Sequence, residues 1–365
     1  MSANSLPSAN PSPLEDDGGA TIASELPSVE APPTATWRAI RRQLVRRPAA
    51  LLSAGLFCLI VILCASAPLY ARHVAHTGPN DNHLSATIEV DGKQVPVVSS
   101  GGATVTDGRV SIHAGGVPIG PQWLAAHGRY VLGADENGRD VAVRLLYGGL
   151  TSLTIALSAA AACVLIALAM SLLAAYFGGG VDWLVSRFFE VMWAFPVMLL
   201  GVALGAALAI DGFHHFGINV ESGSLLIPIG VIGFAFIPYV GRPLRGQLLS
   251  LRERAFVEAA IADGVPGWRI MLLELAPNVI STVLVFFALT VANDIILEAG
   301  LSYLGAGVQP PNASWGTLIA EGKDRIVTAP WLALLPGAAM LLTALSLNVF
   351  TDTLRDALDP RSGRA

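Results

Sequence analysis

The sequence predicts an all-α integral membrane protein of about six transmembrane helices with a small β-rich insert outside the bilayer. Three observations carry this reading. Apolar residues make up 53% of the 365-residue chain and charged ones 13%, about half the share usual in soluble domains. The apolar residues gather in long runs, and the arginines collect between alternate runs.

Residues 1–36 are rich in Ser, Pro, Ala and acidic residues without apolar periodicity, so they read as a disordered tail. Segment 37–48 concentrates Arg38, Arg41, Arg42, Arg46 and Arg47 directly before the apolar run 49–70, the first predicted transmembrane helix. Ala65-Ser66-Ala67 resembles a signal-peptidase site. The run is longer than an ordinary signal core, however, and an uncleaved helix is the reading adopted.

Residues 71–132 form the predicted insert. The stretches Ala86–Val90 and Lys93–Val98 flank Asp91-Gly92, a strong hairpin signal, and Arg109–His113 suggests a further strand. His73, His76, His83 and His113 lack metal-ligand spacing and read as surface histidines. Segment 133–351 then carries five more apolar runs, at about 150–175, 188–210, 224–241, 279–298 and 330–351. Each has close to the length that spans about 30 Å of hydrocarbon. Pro196, Pro228, Pro238 and Pro336 fall in or near these runs and read as kinks rather than breaks.

Arginine placement sets the expected orientation. With the N-terminus inside, the inner segments hold Arg38–Arg47, Arg187, Arg242, Arg245, Arg252, Arg254 and Arg269, then Arg355, Arg361 and Arg364 in the tail 352–365. The outer loop 211–224 has none. Both termini are therefore expected in the cytoplasm.

The inner loop 242–278 is too polar to cross the membrane. Its stretch Glu258-Ala259-Ala260-Ile261-Ala262-Asp263-Gly264 reads as a helix ending at Gly264, with Pro266 opening a second short helix and Pro277 closing it. Two alanines beside the glutamate give a face that another protein can approach closely. From composition alone, an ordinary solvated loop is the plainer reading.

The chain has only two lysines, Lys93 and Lys323, followed by Gln94 and Asp324, so neither belongs to a phosphate-binding P-loop. Cys58, Cys64 and Cys163 all lie in apolar runs and suggest neither a disulfide framework nor a thiolate metal site. No basic stripe with interleaved aromatics marks a nucleic-acid surface. An enzyme is a weak reading: Gly300-Leu301-Ser302 offers a serine, but no predicted span contains a histidine, and His214 and His215 fall in a loop. Asp294 and Glu298 lie four apart on the fifth span and share a helix face. An acidic residue at mid-membrane costs about 2.5–3.5 kcal/mol on insertion scales. That face either lines a translocation path, or Asp294 makes a helix–helix hydrogen bond while Glu298 reaches the outer interface. A proton relay through these two residues would make the chain a self-contained proton-coupled secondary transporter, the main rival. Such proteins usually show inverted repeats, and none is visible here.

The stretch from Glu258 to Pro277 resembles the EAA loop of bacterial ABC-importer permeases, which has a Gly six residues after the Glu; Ala276-Pro277 stands where that family usually has Leu-Pro. Three further stretches resemble the dipeptide/oligopeptide/nickel permeases. They are Gly133-Ala134-Asp135-Glu136-Asn137-Gly138-Arg139-Asp140 with Arg144 and Gly148, then Leu301–Val308 with Pro310-Pro311 and Ser314-Trp315-Gly316, and finally Leu354–Arg361. The four motifs stand in the order expected of the C-type subunit, and the resemblance covers about 130–361 plus the first span; the insert is longer than the family pattern.

The resemblance implies an importer permease in the bacterial inner membrane and no catalysis on this chain. Its implied partners are a second homologous permease, two cytoplasmic ATPase subunits that bind ATP and Mg, and an extracytoplasmic substrate-binding protein. It also implies that the helix Glu258, Ala259, Ala260, Asp263 and Gly264 couples to the ATPase. Di- or oligopeptides are the expected cargo, with nickel chelates and other small solutes as alternatives.

Overall fold

The computed structural model describes Val45 and residues 47–358 apart from 91–92, 100–102, 107–108, 113–115, 124–128 and 216. The tail 1–36, most of the basic segment 37–48, Asp91-Gly92, His113 and the chain from Asp359 onward lie outside the described residues.

Helix α1 runs Pro48–Ala65, with proline at its start where the missing N–H costs nothing. A short turn at Ala67–Tyr70 and a π-helical turn at Ala71–Ala75 carry it on, past the expected end at 70. Helix α2, Val141–Phe177, starts earlier than the predicted span, because Asp140 caps it: its side chain accepts from the N–H groups of Ala142 and Val143 at 2.8 and 3.2 Å. At 37 residues α2 is about 55 Å long, well beyond the hydrocarbon thickness.

The apolar run at 188–210 is not one kinked helix. It divides into α3, Gly179–Ala194, and α4, Val197–Asp211, which meet at 89°. Pro196 drives Phe195 into an extended conformation (φ −90°, ψ 133°), and a residue held so cannot continue a helix. Pro196 thus marks a break, not the kink expected. A short antiparallel hairpin, Phe213–His215 against Ile218–Val220, follows in a loop whose sequence carries no clear strand pattern. Helices α5, Leu226–Ala235, and α6, Ile237–Arg252, form a second bent pair at 43°, with Pro238 removing a donor in the first turn of α6.

Next come α7, Ala255–Ala262, a short turn Gly267–Arg269, a π-helical stretch Ile270–Leu275 and α8, Ala276–Tyr303. Pro277 does not close a helix here: apolar helix runs unbroken from Gly267 to Tyr303. The wider π turn, in which the Ala276 N–H reaches Met271 O, relieves the clash a proline ring makes with the carbonyl four residues back. Helix α9, Trp315–Gly322, and α10, Trp331–Leu358, complete the chain. Among the described residues, four helices can cross a membrane by length and composition, or six when each bent pair counts as one span.

Two ends of the bundle can be told apart. One holds the insert and the start of α2. There Thr87–Val90 pairs antiparallel with Lys93–Pro96, placing Val90 opposite Lys93, and Ala103–Thr106 pairs with Arg109–Ile112. Ile88, Val97, Tyr130 and Ala134 form the insert's small core. The other end holds α7 and the ends of α2 and α10. Arg47, ahead of α1, meets Asp356 of α10 at 2.7 Å, so the start of α1 and the end of α10 lie together. The main core sits at this second end, where Leu172 and Ala175 of α2, Phe189 of α3 and Leu244 and Leu248 of α6 pack on Val257, Ile270 and Leu275. A second core joins Ala156 and Ala160 of α2, Ile295 of α8, Trp315 of α9 and Leu347 of α10.

Small residues make these contacts possible. A Cβ on Gly316 would lie 2.6 Å from Ala299 Cα and 2.7 Å from its carbonyl oxygen, so α9 rests directly on the backbone of α8. Gly316→Ala should therefore lower stability by about 1–3 kcal/mol. Thermal unfolding in detergent would read this, and an unchanged midpoint would show that the two helices are not in contact.

Candidate functional site

The loop 242–278 builds its site on α7. Val257 is fully buried, and Ala260 three residues on packs against the same core, so one stripe of this short helix is fixed to the bundle. The opposite side is open. Glu258, Ala259, Ala262 and Asp263 are exposed, together with Phe256 and Ile261 and, just beyond, Trp268 at 56% exposure. The structure divides the two alanines beside Glu258: Ala259 belongs to the open face, while Ala260 is turned toward the bundle.

The helix ends in a Schellman motif. The Gly264 N–H donates to Ile261 O and the Val265 N–H to Ala260 O, each at 3.0 Å. Gly264 has φ +73°, in the left-handed region where a side chain is strained, and an added Cβ would meet nothing within 4 Å. Its constraint is therefore conformational, not steric. Asp182 of α3 pairs with Arg245 of α6 through both carboxylate oxygens, tying together the helices above this loop.

A second polar site lies inside the bundle. Glu298 of α8 is fully buried and accepts from Ser152 Oγ of α2 at 2.8 Å and from Ser302 Oγ at 2.7 Å. Ser152 in turn accepts from the Trp315 N–H at 3.1 Å, and Ser302 from the Val308 N–H at 3.0 Å. One carboxyl thus joins α2, α8, the start of α9 and the loop between α8 and α9. Asp294, one turn away, is also fully buried, but neither of its oxygens has a hydrogen-bond partner. Glu298 does not reach an interface, and Asp294 makes no helix–helix hydrogen bond.

The third site is an ion network at the insert-bearing end. Asp135 accepts from the backbone N–H groups of Asn137 and Arg139, and pairs with Arg139 Nε at 2.6 Å and Arg144 Nη1 at 2.8 Å. Arg144, 3% exposed, also makes a two-pronged contact with Glu321 of α9, its Nη2 at 3.1 Å from Oε1. Arg325 meets Glu136 at 2.5 Å. Asp135, Glu136, Arg139, Arg144 and Glu321 line a cavity of about 410 Å³ together with the apolar Leu145, Leu318 and Leu332. Nearby, Asp140 also accepts from the Tyr130 N–H at 2.8 Å, and burial pushes its carboxyl above the usual value against the pull of these backbone donors. The Tyr130 hydroxyl is pushed up to about 12, by burial first and then by the charge of Asp140. Asp140 directly before Val141-Ala142-Val143 is a cap signal that the expected start of the span near 150 passes over; the partner of Arg144 has no such local signal, because Glu321 is 177 residues away.

The chain belongs to the family of binding-protein-dependent transport system inner membrane components, whose model matches residues 164–364, more than half of the chain. It is similar to a dipeptide transport system permease of Alkalihalophilus pseudofirmus, at 35% identity over 63% of this chain and 71% of that protein. An oligopeptide transport system permease of Haemophilus influenzae is 38% identical over 64% and 71%, and a glutathione transport system permease of Pectobacterium atrosepticum 36% over 63% and 72%. A solved amino acid ABC transporter superposes with a TM-score of 0.39 at 17% identity, covering 61% of this chain and 94% of that one. The protein is thus a permease subunit of an ABC-type importer, a multi-pass protein of the bacterial inner membrane.

Proposed function

We propose that the chain is half of the translocation path of a short-peptide importer, driven through α7 by ATPase subunits on the cytoplasmic side. The carrying observation is the open side of α7: Phe256 and Ile261 of the helix, with Trp268 of the turn that follows, expose apolar surface, while Val257 and Ala260 fix the helix in the core. An exposed apolar patch rimmed by charge is the mark of a protein contact. Because Val257, Ile270 and Leu275 share the core with α2, α3 and α6, a push on α7 reaches the spans as a rigid movement. In this reading ATP binding, with Mg, closes two ATPase subunits, and the path alternates between outward and inward access.

The remaining partners are a second homologous permease and an extracytoplasmic binding protein. The end bearing α7 then faces the cytoplasm, with both termini there, in keeping with the arginines of that end and the Arg47–Asp356 pair. Hydrolysis falls to the partner chains. The peptide cargo rests on the names of the relatives, two of which are dipeptide and oligopeptide systems. Asp294 and Glu298 are assigned to the path only in a state where the contact between α2 and α8 has opened, since both are fully buried in this one.

Affinity purification from native membranes in mild detergent tests the assembly. Recovery of a second permease and two P-loop ATPases is expected. Gly264→Val forces a branched side chain into the left-handed region at a cost of about 1–2 kcal/mol, enough to weaken ATPase capture by roughly 5–30-fold. Glu258→Arg reverses the charge on the open face and should act in the same direction. Both variants should still insert in the membrane. Full ATPase recovery with both would remove α7 from the coupling role, and a solitary protein that moves solute without ATP would restore the proton-coupled rival.

A further inference from the structure

Helix α8 carries a polar stripe at four-residue spacing, Thr290, Asp294, Glu298 and Ser302, each 4% exposed or less. Its insert-side half is satisfied by the serine contacts of Glu298. The other half is not: both oxygens of Asp294 and the hydroxyl of Thr290 are buried without a partner.

The surroundings of Asp294 are apolar. Its neighbours Val291 and Ile295 pack with Ala156 and Ala160 of α2 and Leu347 of α10, and Leu297 packs with Ile155 and Ala159 of α2. The titratable group facing it across the contact is the Cys163 thiol of α2, and Glu298 lies one turn away on its own helix. Helix α5 has no charged residue at all. The charged residues of the other packed elements are Arg144 on α2, Asp211 on α4, Arg242, Arg245 and Arg252 on α6, Glu274 on the π-helical stretch, Glu321 on α9, and Asp352, Arg355 and Asp356 on α10, and none is bonded to Asp294. An ionised carboxylate without partners in such a place is far costlier than the neutral acid.

We propose that Asp294 is a proton-holding site: it keeps its proton while α2 and α8 are in contact and releases it to water when that contact opens. The O–H bond breaks heterolytically, the electron pair stays on the carboxylate, and the proton leaves on water. The opening of the α2–α8 contact rests on the alternating access proposed above, while the proton-holding site itself does not depend on cargo or partners. It gives the alternation of the helices a dependence on acidity. Because the proton is held in contact and released on opening, proton binding and helix contact are linked. Acid therefore favours contact. Raising the pH weakens it, by at most about tenfold per pH unit for one proton.

Infrared spectroscopy of the full chain in lipid nanodiscs tests the first half. At about pH 7, where an ordinary Asp is ionised, the carbonyl stretch of a protonated carboxylic acid is expected. It should vanish in Asp294→Asn and persist in Glu298→Gln. Asp294→Glu, which keeps the acid and should move the band, covers the case in which the amide variant does not fold. A spectrum with no band that follows residue 294 overturns the proposal. Spin labels placed on α2 and α8 test the second half: their separation should grow with pH in the wild type and lose that dependence in Asp294→Asn. A pH-independent separation in the wild type refutes the coupling to helix contact.

Discussion

Arg144→Met should destabilise the protein by up to about 3–5 kcal/mol, because it removes one of the two guanidinium partners of a buried carboxylate. Arg144 is 3% exposed and holds Asp135, itself nearly buried, on one side and Glu321 of α9 on the other. Removing the guanidinium leaves Asp135 dependent on Arg139 alone and frees the far end of α9. Glu321→Gln is the contrasting change: that side chain is 45% exposed, water can replace its partner, and the cost should stay under about 1 kcal/mol. Thermal unfolding in detergent separates the two. Arg144→Met combined with Asp135→Asn should recover part of the loss, since the second change removes the stranded charge. Equal effects of Arg144→Met and Glu321→Gln would mean that the network is a surface feature despite its burial.

Glu298→Ala is expected to cost roughly 3 kcal/mol, from two hydrogen bonds to a buried carboxyl and the cavity left behind. The effect should be spread over distant segments, because Ser152, Ser302 and, through them, the Trp315 and Val308 N–H groups lose their order together. Hydrogen exchange would show this as faster exchange at the start of α9 and in the loop before it. Ser152→Ala should reproduce about half of the loss, as it strands one carboxyl oxygen and the Trp315 N–H while leaving the Ser302 contact in place. Exchange confined to α8 would mean that Glu298 serves its own helix only.

Much of the fold was legible in the chain because membrane helices must satisfy their backbone within themselves, so long apolar runs leave little alternative to helix. The Gly264 terminus was legible for a similarly local reason: an Ala-rich helix followed by Asp-Gly signals the left-handed cap that the Schellman bonds complete. Pro196 and Pro277 were misjudged in opposite senses. Whether a proline kinks, breaks or merely begins a helix depends on the turn that precedes it. A π turn before Pro277 and an extended Phe195 before Pro196 are not written in the prolines themselves.

By itself, then, the sequence determined the membrane class, the helical character of the apolar runs, the hairpin pairing of the insert and the helix that the loop 242–278 presents, all of which follow from periodicity, length and local capping. Only the tertiary structure decided that Ala260 turns inward while Ala259 stays open, and that Glu298 is a junction while Asp294 is an orphan. It also decided that Arg144 reaches across to Glu321. The physical reason is the same in each case. Whether a polar or charged side chain is stable in a bundle depends on the partner brought to it, and those partners lie on other helices, 146 residues away for Ser152 and Glu298.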